Sequence, residues 1–418
     1  MRLTFTIILL ALSSIAGAQT EAEKLNEAIQ QFDQGYYPLN LPGLALDFKT
    51  NLSNELEANN TAQQKAFFED MQAKLQGIDP RQLTKAEFID LEILRFECSV
   101  NLEKLSLIER TTQSETADLN RIYDFENGPA WYAWFIKKWT GSDLSPEQIM
   151  NFGKTEVARI KKAISELDLP AQKPDSFYTR DKSLIVETLQ AKRNHISQQL
   201  GRLLPDFEQL PALNITQGTN RQLAQAPGYY NNNTFYFNLF DEPFDLADCD
   251  WLLIHEGNPG HHFQVSYHAA QARKPYRRGL RNMGFIEGWA AYTENLGWEM
   301  ALYKDDFEAL GKWNWDMIRS VRVVLDVAIN YLGWTDEQCL KYWRDHISGK
   351  DDIAAREIAR MKRWPAQVLT YKLGEAEIFK AKKKAMQQLG VDFNLKQFHT
   401  EILAHGPVPV KLISQLNN

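Results

Sequence analysis

Three of the eight histidines in this chain fall within eight residues, in the stretch Trp251-Leu252-Leu253-Ile254-His255-Glu256-Gly257-Asn258-Pro259-Gly260-His261-His262. Imidazoles with a carboxylate beside them are the donor set of a zinc site, where neutral ring nitrogens and carboxylate oxygens bind at about 2.0–2.2 Å. The usual helical solution, H-E-x-x-H, sets its histidines at i and i+4 on one face and its glutamate beside the metal-bound water as general base. Here i+4 from His255 is Pro259, and the next histidines stand at i+6 and i+7. On a regular helix those lie roughly 9 and 10 Å along the axis, too far to share one ion with His255. Pro259 lacks an N–H and Gly260 accepts unusual backbone angles. The pair is therefore suited to bulge the helix and bring His261 or His262 back toward His255. Glu256 is the candidate base.

Two histidines need a third ligand, and Glu287, 26 residues after His261, is the candidate. Glu294 follows seven residues later, on the same helical face, and is placed to orient a ligand imidazole. Ala290 and Ala291 lie between them and allow another helix to approach closely. The plain alternative is a surface helix with ordinary acidic residues. Phe285, Trp289 and Tyr292 are poor company for one.

The elements that must position these groups are mostly helical. Apolar residues at three and four spacing predict helices near 22–35, 52–77, 84–110, 145–168 and 181–203. A long helical pattern follows at 283–303, and further helices near 306–332, 335–348, 352–361, 365–389 and 393–403. Between 111 and 140, Asn127-Gly128-Pro129 reads as a turn, and Trp131, Trp134 and Trp139 read as core, with a binding wall as the alternative. The segments 213–216 and 234–239 have β-type content and flank the turn-rich Pro227-Gly228-Tyr229-Tyr230-Asn231-Asn232-Asn233, so a small sheet is expected just before the metal helix. An edge strand there could take an extended peptide. Tyr229 and Tyr230 are candidates to support the site or touch substrate.

Residues 1–18 read as a signal peptide: a charged start, a short apolar run and a small-x-small cleavage site ending at Ala18. The run is shorter than the roughly 20 residues a spanning helix needs, and no other stretch is long and apolar enough. A periplasmic or secreted location follows. The net charge of −7 argues against nucleic acid as a partner. Cys98, Cys249 and Cys339 are widely spaced and odd in number, which excludes a disulfide scaffold and leaves at least one thiol outside any internal disulfide. The organisation expected is a signal peptide (1–18), a helical N-terminal lobe (19–204) and a metal-binding catalytic half (205–418). Oligomeric state is left open.

The stretches His255 to His262, Glu287-Gly288-Trp289-Ala290-Ala291-Tyr292-Thr293-Glu294, Pro365-Ala366-Gln367-Val368-Leu369-Thr370-Tyr371-Lys372-Leu373-Gly374 and Phe398 to Pro409 together resemble the bacterial family catalogued as domain of unknown function 885. The resemblance runs from about Ala226 to the end, and the N-terminal half matches only in being helical. It implies an exported, metallopeptidase-like protein: mostly α, a large helical body with a small β-sheet next to the metal-binding helix and a deep cleft. A more distant similarity, to Taq-type zinc carboxypeptidases and thimet-like oligopeptidases, implies His261 rather than His262 as second ligand, Glu287 as third, and Glu294-Asn295 as that group's Glu-Asn pair. Dipeptidyl peptidase III tolerates one extra residue between its histidines; this chain carries two. His262 would then contact substrate or hydrogen-bond nearby.

The function these residues imply is hydrolysis of short peptides by a Zn2+-activated water, with Glu256 as base and Tyr371 donating to the oxyanion. Arg360 and Lys372, or Arg277, Arg278 and Arg281, could clamp a terminal carboxylate. The second group reads better as a solvated face. His195, His346, His399 and His405 read as structural or surface residues, and His268 as supporting at most. A zinc hydrolase of non-peptide amides and a non-catalytic peptide or metal binder are the alternatives. Glu256 counts against the binder, which has no use for a general base.

Overall fold

Side-chain capping fixes where many of the helices begin. Thr20, Thr84, Ser145 and Thr335 each accept at the side chain from the backbone N–H three residues on and donate their own backbone N–H to the Glu or Gln side chain there, opening the helices Glu21–Tyr36, Lys85–Glu109, Pro146–Ser165 and Asp336–Arg344. The computed structural model describes residues 19–112, 115–170, 172–223 and 226–416, so the signal peptide read at 1–18 lies outside the described residues. Among these, the chain is mostly helical with two small sheets. No described helix is long and apolar enough to cross a membrane.

Three helices differ from their expected spans. The pattern at 52–77 is two helices, Phe48–Leu56 and Thr61–Gln76. Asn60 breaks it, its side chain bonding to the Leu39 carbonyl and to Gln64 instead of leaving the backbone to continue. The helix that opens at Met283 stops at Glu294, because the Asn295 amide turns back onto Ala291 and across to Glu375. The helix expected from 365 begins at Leu369, after a turn in which Ala366 takes φ 67° and its N–H is bound by Asp326. Asn127-Gly128-Pro129, read as a turn, is the start of the helix Gly128–Thr140, with proline in its first turn.

The strands are β1 (Tyr178–Thr179), β2 (Asn214–Gln217), β3 (Gly228–Asn231), β4 (Thr234–Phe237) and β5 (Phe244–Asp245). Most of the expected connector between strands is itself strand: β3 and β4 form a hairpin across Asn232 and Asn233, both left-handed at φ 45° and 59°. β2 joins the other side of β4 in parallel, which leaves β3 at an edge of the order β2-β4-β3. β1 and β5 pair separately.

Buried side chains form two apolar clusters, and both draw on helices from the two halves of the chain. Trp131, Trp134 and Trp139 are core, the first two donating their indole N–H groups to Thr111 and the Val100 carbonyl. Cys98, Cys249 and Cys339 are buried and free. The tightest helix pair is Met283–Glu294 against Leu369–Leu389, where a Cβ on Gly288 would stand 2.4 Å from the Cα of Gly374. The close approach foreseen through Ala290 and Ala291 is made by these glycines instead.

One buried carboxyl makes the core sensitive to pH. Asp326 accepts from the Tyr132 hydroxyl at 2.6 Å and from the Ala366 N–H, while its second oxygen has no partner. Burial lifts the carboxyl to about 7. Its folded value is thus above its unfolded one, and the stability it lends is full below about pH 4 and lost as pH rises through 7. Asp326→Asn removes that dependence. Denaturant midpoints should show the variant gaining roughly 2–3 kcal/mol on the wild type between pH 5 and pH 8. An equal difference at both pH values would contradict the assignment.

Candidate metal centre

The motif does not bulge a helix; it ends one and starts another. The helix Cys249–Glu256 closes on Gly257, the Asn258–Pro259 bond is cis, and the helix His261–Ala270 begins immediately after Gly260. The Gly260 N–H reaches back to the Ile254 carbonyl at 3.0 Å. A Cβ on Gly260 would lie 2.1 Å from the His255 carbonyl oxygen, so only glycine allows this fold-back. Trp289 fastens the loop from outside by donating its indole N–H to the Pro259 carbonyl at 2.9 Å.

The result brings His261 against His255, ring centroids 4.9 Å apart and planes at 87°. Glu287 Oε2 lies 3.3 Å from His261 Nε2 and 3.9 Å from His255 Nε2. Ligand atoms around a tetrahedral ion at 2.0–2.2 Å stand about 3.3–3.6 Å apart. His255, His261 and Glu287, whose ligand atoms all fall within 4.8 Å of one another, could therefore hold a metal ion. Burial pulls the His261 imidazole down, but the hydrogen bond and charge of Glu287 outweigh it and hold it above its ordinary value. Glu287 is pushed up by burial and brought below its usual range chiefly by His261.

Glu294 accepts the Nδ1–H of His255 at 2.7 Å, which turns Nε2 toward Glu287 and His261. Its other oxygen takes Arg319 at 2.7 Å, and Arg319 with His255 holds the buried carboxyl ionised, below its usual range despite desolvation. His262 points the opposite way, Nε2 against the Pro211 carbonyl at 2.9 Å and Nδ1 against the Tyr230 hydroxyl at 3.2 Å. Of the neighbouring histidines, His261 faces Glu287 and belongs to the group that could hold a metal, whereas His262 ties the second helix to the sheet.

His255, Glu256 and Tyr371 share a cavity of about 540 Å³. Burial lifts the Glu256 carboxyl, with His255 and His261 opposing and Glu287 adding to the rise, and the Tyr230 backbone N–H bonds to it. The Tyr371 ring stacks 6.3 Å from His255. Its phenol is raised by burial and by Glu287 against three arginines, so it keeps its proton at neutral pH. Arg360 bonds to Tyr371 and lines the same cavity. Lys372 does not: its ammonium is enclosed by Asp316, Glu156 and Glu375 at 2.5–2.9 Å. Arg277 is no solvated face, since it pairs with Asp90 beside a different cavity, whereas Arg278 and Arg281 are exposed. Tyr229 stacks on Tyr236 at 4.8 Å. His399 sits between the Tyr292 hydroxyl and the Leu203 carbonyl, and His268 against the Leu403 carbonyl.

Sequence reasoning missed four arginines that line the cavity with Arg360: Arg319, Arg322, Arg356 and Arg363. Their signal was spacing, 319 and 322 on one helix and 356, 360 and 363 on another, each set on one face.

The family model of bacterial proteins of unknown function, DUF885, matches residues 106–416, and the chain belongs to that family. The match begins well before the motif-bearing stretch. Two solved proteins share the fold, both described as putative lipoproteins. One, from Colwellia psychrerythraea, is 23% identical with a TM-score of 0.65 and covers 97% of this chain and 77% of its own. The other, from Shewanella oneidensis, is 18% identical with a TM-score of 0.58 and covers 95% and 88%. No curated protein matches the sequence significantly.

Metal titration should separate these roles. After chelation and dialysis, the wild type is expected to take up one equivalent of zinc by calorimetry, and His255→Ala, His261→Ala and Glu287→Ala none. His262→Ala should keep its equivalent, and Glu294→Gln should bind about 10- to 100-fold more weakly. Full zinc uptake by any of the three ligand variants would refute the group.

Proposed function

We propose that this protein is an exported zinc metallopeptidase that hydrolyses short peptides, as a carboxypeptidase or oligopeptidase, in a cleft around His255, Glu256 and Tyr371. The observation that carries the reading is a second carboxylate, Glu256, in the same cavity wall as His255 and outside the ligand group. Two imidazoles and one carboxylate form a donor set that suits zinc and leaves a fourth position for water or substrate. When bound, the ion supplies Lewis-acid polarisation of the scissile carbonyl and lowers the pKa of a water toward about 7.

The protein's own groups do the rest. Glu256 accepts the water's proton and delivers it to the leaving amine. Tyr371 keeps its phenolic proton and donates it as a hydrogen bond to the developing oxyanion. Arg319 holds Glu294 ionised, and Glu294 fixes the tautomer of His255. Ala226, Pro227 and Gly228 line the cavity at the start of β3, whose outer edge offers main-chain groups to an extended peptide. Export rests on the signal-like residues 1–18, and the peptide is the only partner the site calls for.

A mixed peptide library read by mass spectrometry tests this. The zinc-loaded wild type should produce new termini that vanish with chelator. Glu256→Gln should keep its zinc and lose about 10²- to 10⁴-fold in rate. Cleavage that survives both treatments would sink the proposal.

A further inference from the structure

The cavity beside the metal group carries more positive charge than a peptide backbone calls for. Arg322 from the helix Asp306–Asn330, and Arg356, Arg360 and Arg363 from the helix Asp351–Arg363, share its wall. Glu357 stands among them, 3.0 Å from Arg322 and 3.7 Å from Arg360. Arg319 is already held by Glu294. In this part of the wall one carboxylate, Glu357, thus faces four guanidinium groups, the cavity's other lining carboxylate, Glu256, being next to His255. Confining like charges in a partly desolvated wall is unfavourable until an anion joins them. Two donors also stand unused: Nε of Arg322 and Nε of Arg360 are buried and make no hydrogen bond, in side chains 4% and 25% exposed. Trp364 packs 5.2 Å from Arg360 and 5.4 Å from Arg363, which limits their freedom to turn away.

Distance from the metal group decides what part of a substrate meets this wall. Tyr371 lies between, its ring 6.3 Å from the His255 ring and 5.4 Å from the Arg322 guanidinium carbon. A peptide residue advances about 3.3–3.6 Å. Those two legs allow a span of up to about 12 Å, so the first residues, up to about three, that follow a carbonyl placed at His255, His261 and Glu287 come against the arginines, a long acidic side chain reaching furthest toward them.

We propose that the cluster receives an acidic C-terminal residue, so that the enzyme releases one glutamate or aspartate at a time from peptide ends. This rests on the peptidase reading above and gives it a direction and a specificity. A lone terminal carboxylate would leave two guanidinium groups uncompensated. An α-carboxylate and a side-chain carboxylate together leave one, and Arg363 is exposed to water. In the reaction the water oxygen bonds to the acyl carbon, the C–N bond breaks, and the proton taken by Glu256 goes to the amine. The products are a shortened peptide and the free acidic amino acid.

The test uses the zinc-loaded protein and peptides identical except for the last residue: Glu, Asp, Gln, Asn or Leu, with the Glu peptide also as its C-terminal amide. kcat/KM for Glu and Asp should exceed that for Gln and Asn by about 10- to 100-fold, with the amide uncleaved. Arg356→Gln and Arg360→Gln should each shrink the Glu-to-Gln ratio about 10-fold, chiefly through KM, and Arg360→Lys should restore part of it. Equal rates on Glu and Gln peptides, or internal cuts alone, would overturn the inference and leave the peptidase reading standing. If no peptide is cleaved, the peptidase reading fails, and calorimetry on zinc-loaded Glu256→Gln decides the rest. Binding of the Glu-ended peptide at least 10-fold tighter than the Gln-ended one upholds the cluster's role, and equal or absent binding overturns it.

Discussion

Two helices that meet backbone to backbone hold the site in register. A Cβ on Gly374 would stand 1.9 Å from the Gly284 carbonyl oxygen, so any larger residue there forces the helices Met283–Glu294 and Leu369–Leu389 apart. Glu287 rides on the first and Tyr371 on the second. The first helix also reaches every other part of the centre: Glu294 takes His255, and the Trp289 indole holds the Pro259 carbonyl. Glu287 of the candidate group, the carboxylate that orients His255 and the loop anchor thus share one rigid reference, and a glycine contact sets where that reference stands.

The second constraint is electrostatic. Along the helix Asp306–Asn330, Lys312, Asp316, Arg319, Arg322 and Asp326 recur at helical spacing and all are buried. Each has a specific partner: Lys312 with Asp316, Arg319 with Glu294, Arg322 with Glu357, Asp326 with Tyr132. Buried pairs of this kind add little net stability, because desolvation offsets most of the attraction. Their effect is geometric: a charge that is costly to leave unpaired fixes the side chain that pairs it. Glu294 is the clearest case, since ionised and bound by Arg319 it can only accept from His255, and the His255 tautomer follows.

How far the sequence discloses this depends on whether the signal is local. The donors His255 and Glu287 could be singled out because types and spacing limit what chemistry they can do, whereas spacing left His261 and His262 both open and only the resemblance favoured His261. The helices with capping boxes were readable within a few residues for the same reason. The break at Asn60, the β3 strand inside a run of turn residues and the start at Leu369 were not, because each is settled by a distant partner such as the Leu39 carbonyl, β4 or Asp326. Lys372 and Arg277 mislead for a related reason. A charged residue in sequence does not reveal whether water or a buried carboxylate answers it, and for these two it is Asp316 and Asp90. The arginine face at 356, 360 and 363 carried a periodic signal, yet basic faces on helices are ordinarily solvated, and only the opposing Arg322 shows that this one borders a cavity.

The two extra residues between the histidines change how rigidity is supplied. In H-E-x-x-H one helix holds both ligands, and its hydrogen-bond ladder fixes their separation. Here the ladder ends at Gly257, so the second helix needs its own attachments if His261 is to stay opposite Glu287. Its attachments include Gly260 bonded back to Ile254, the His262 N–H bonded to the Gly257 carbonyl, the His262 ring bonded to Pro211 and Tyr230, and the His268 ring against the Leu403 carbonyl. The doubled histidine is then not redundant. His261 offers a ligand atom to the group, and His262, fully buried one position on, bolts their shared helix to the sheet.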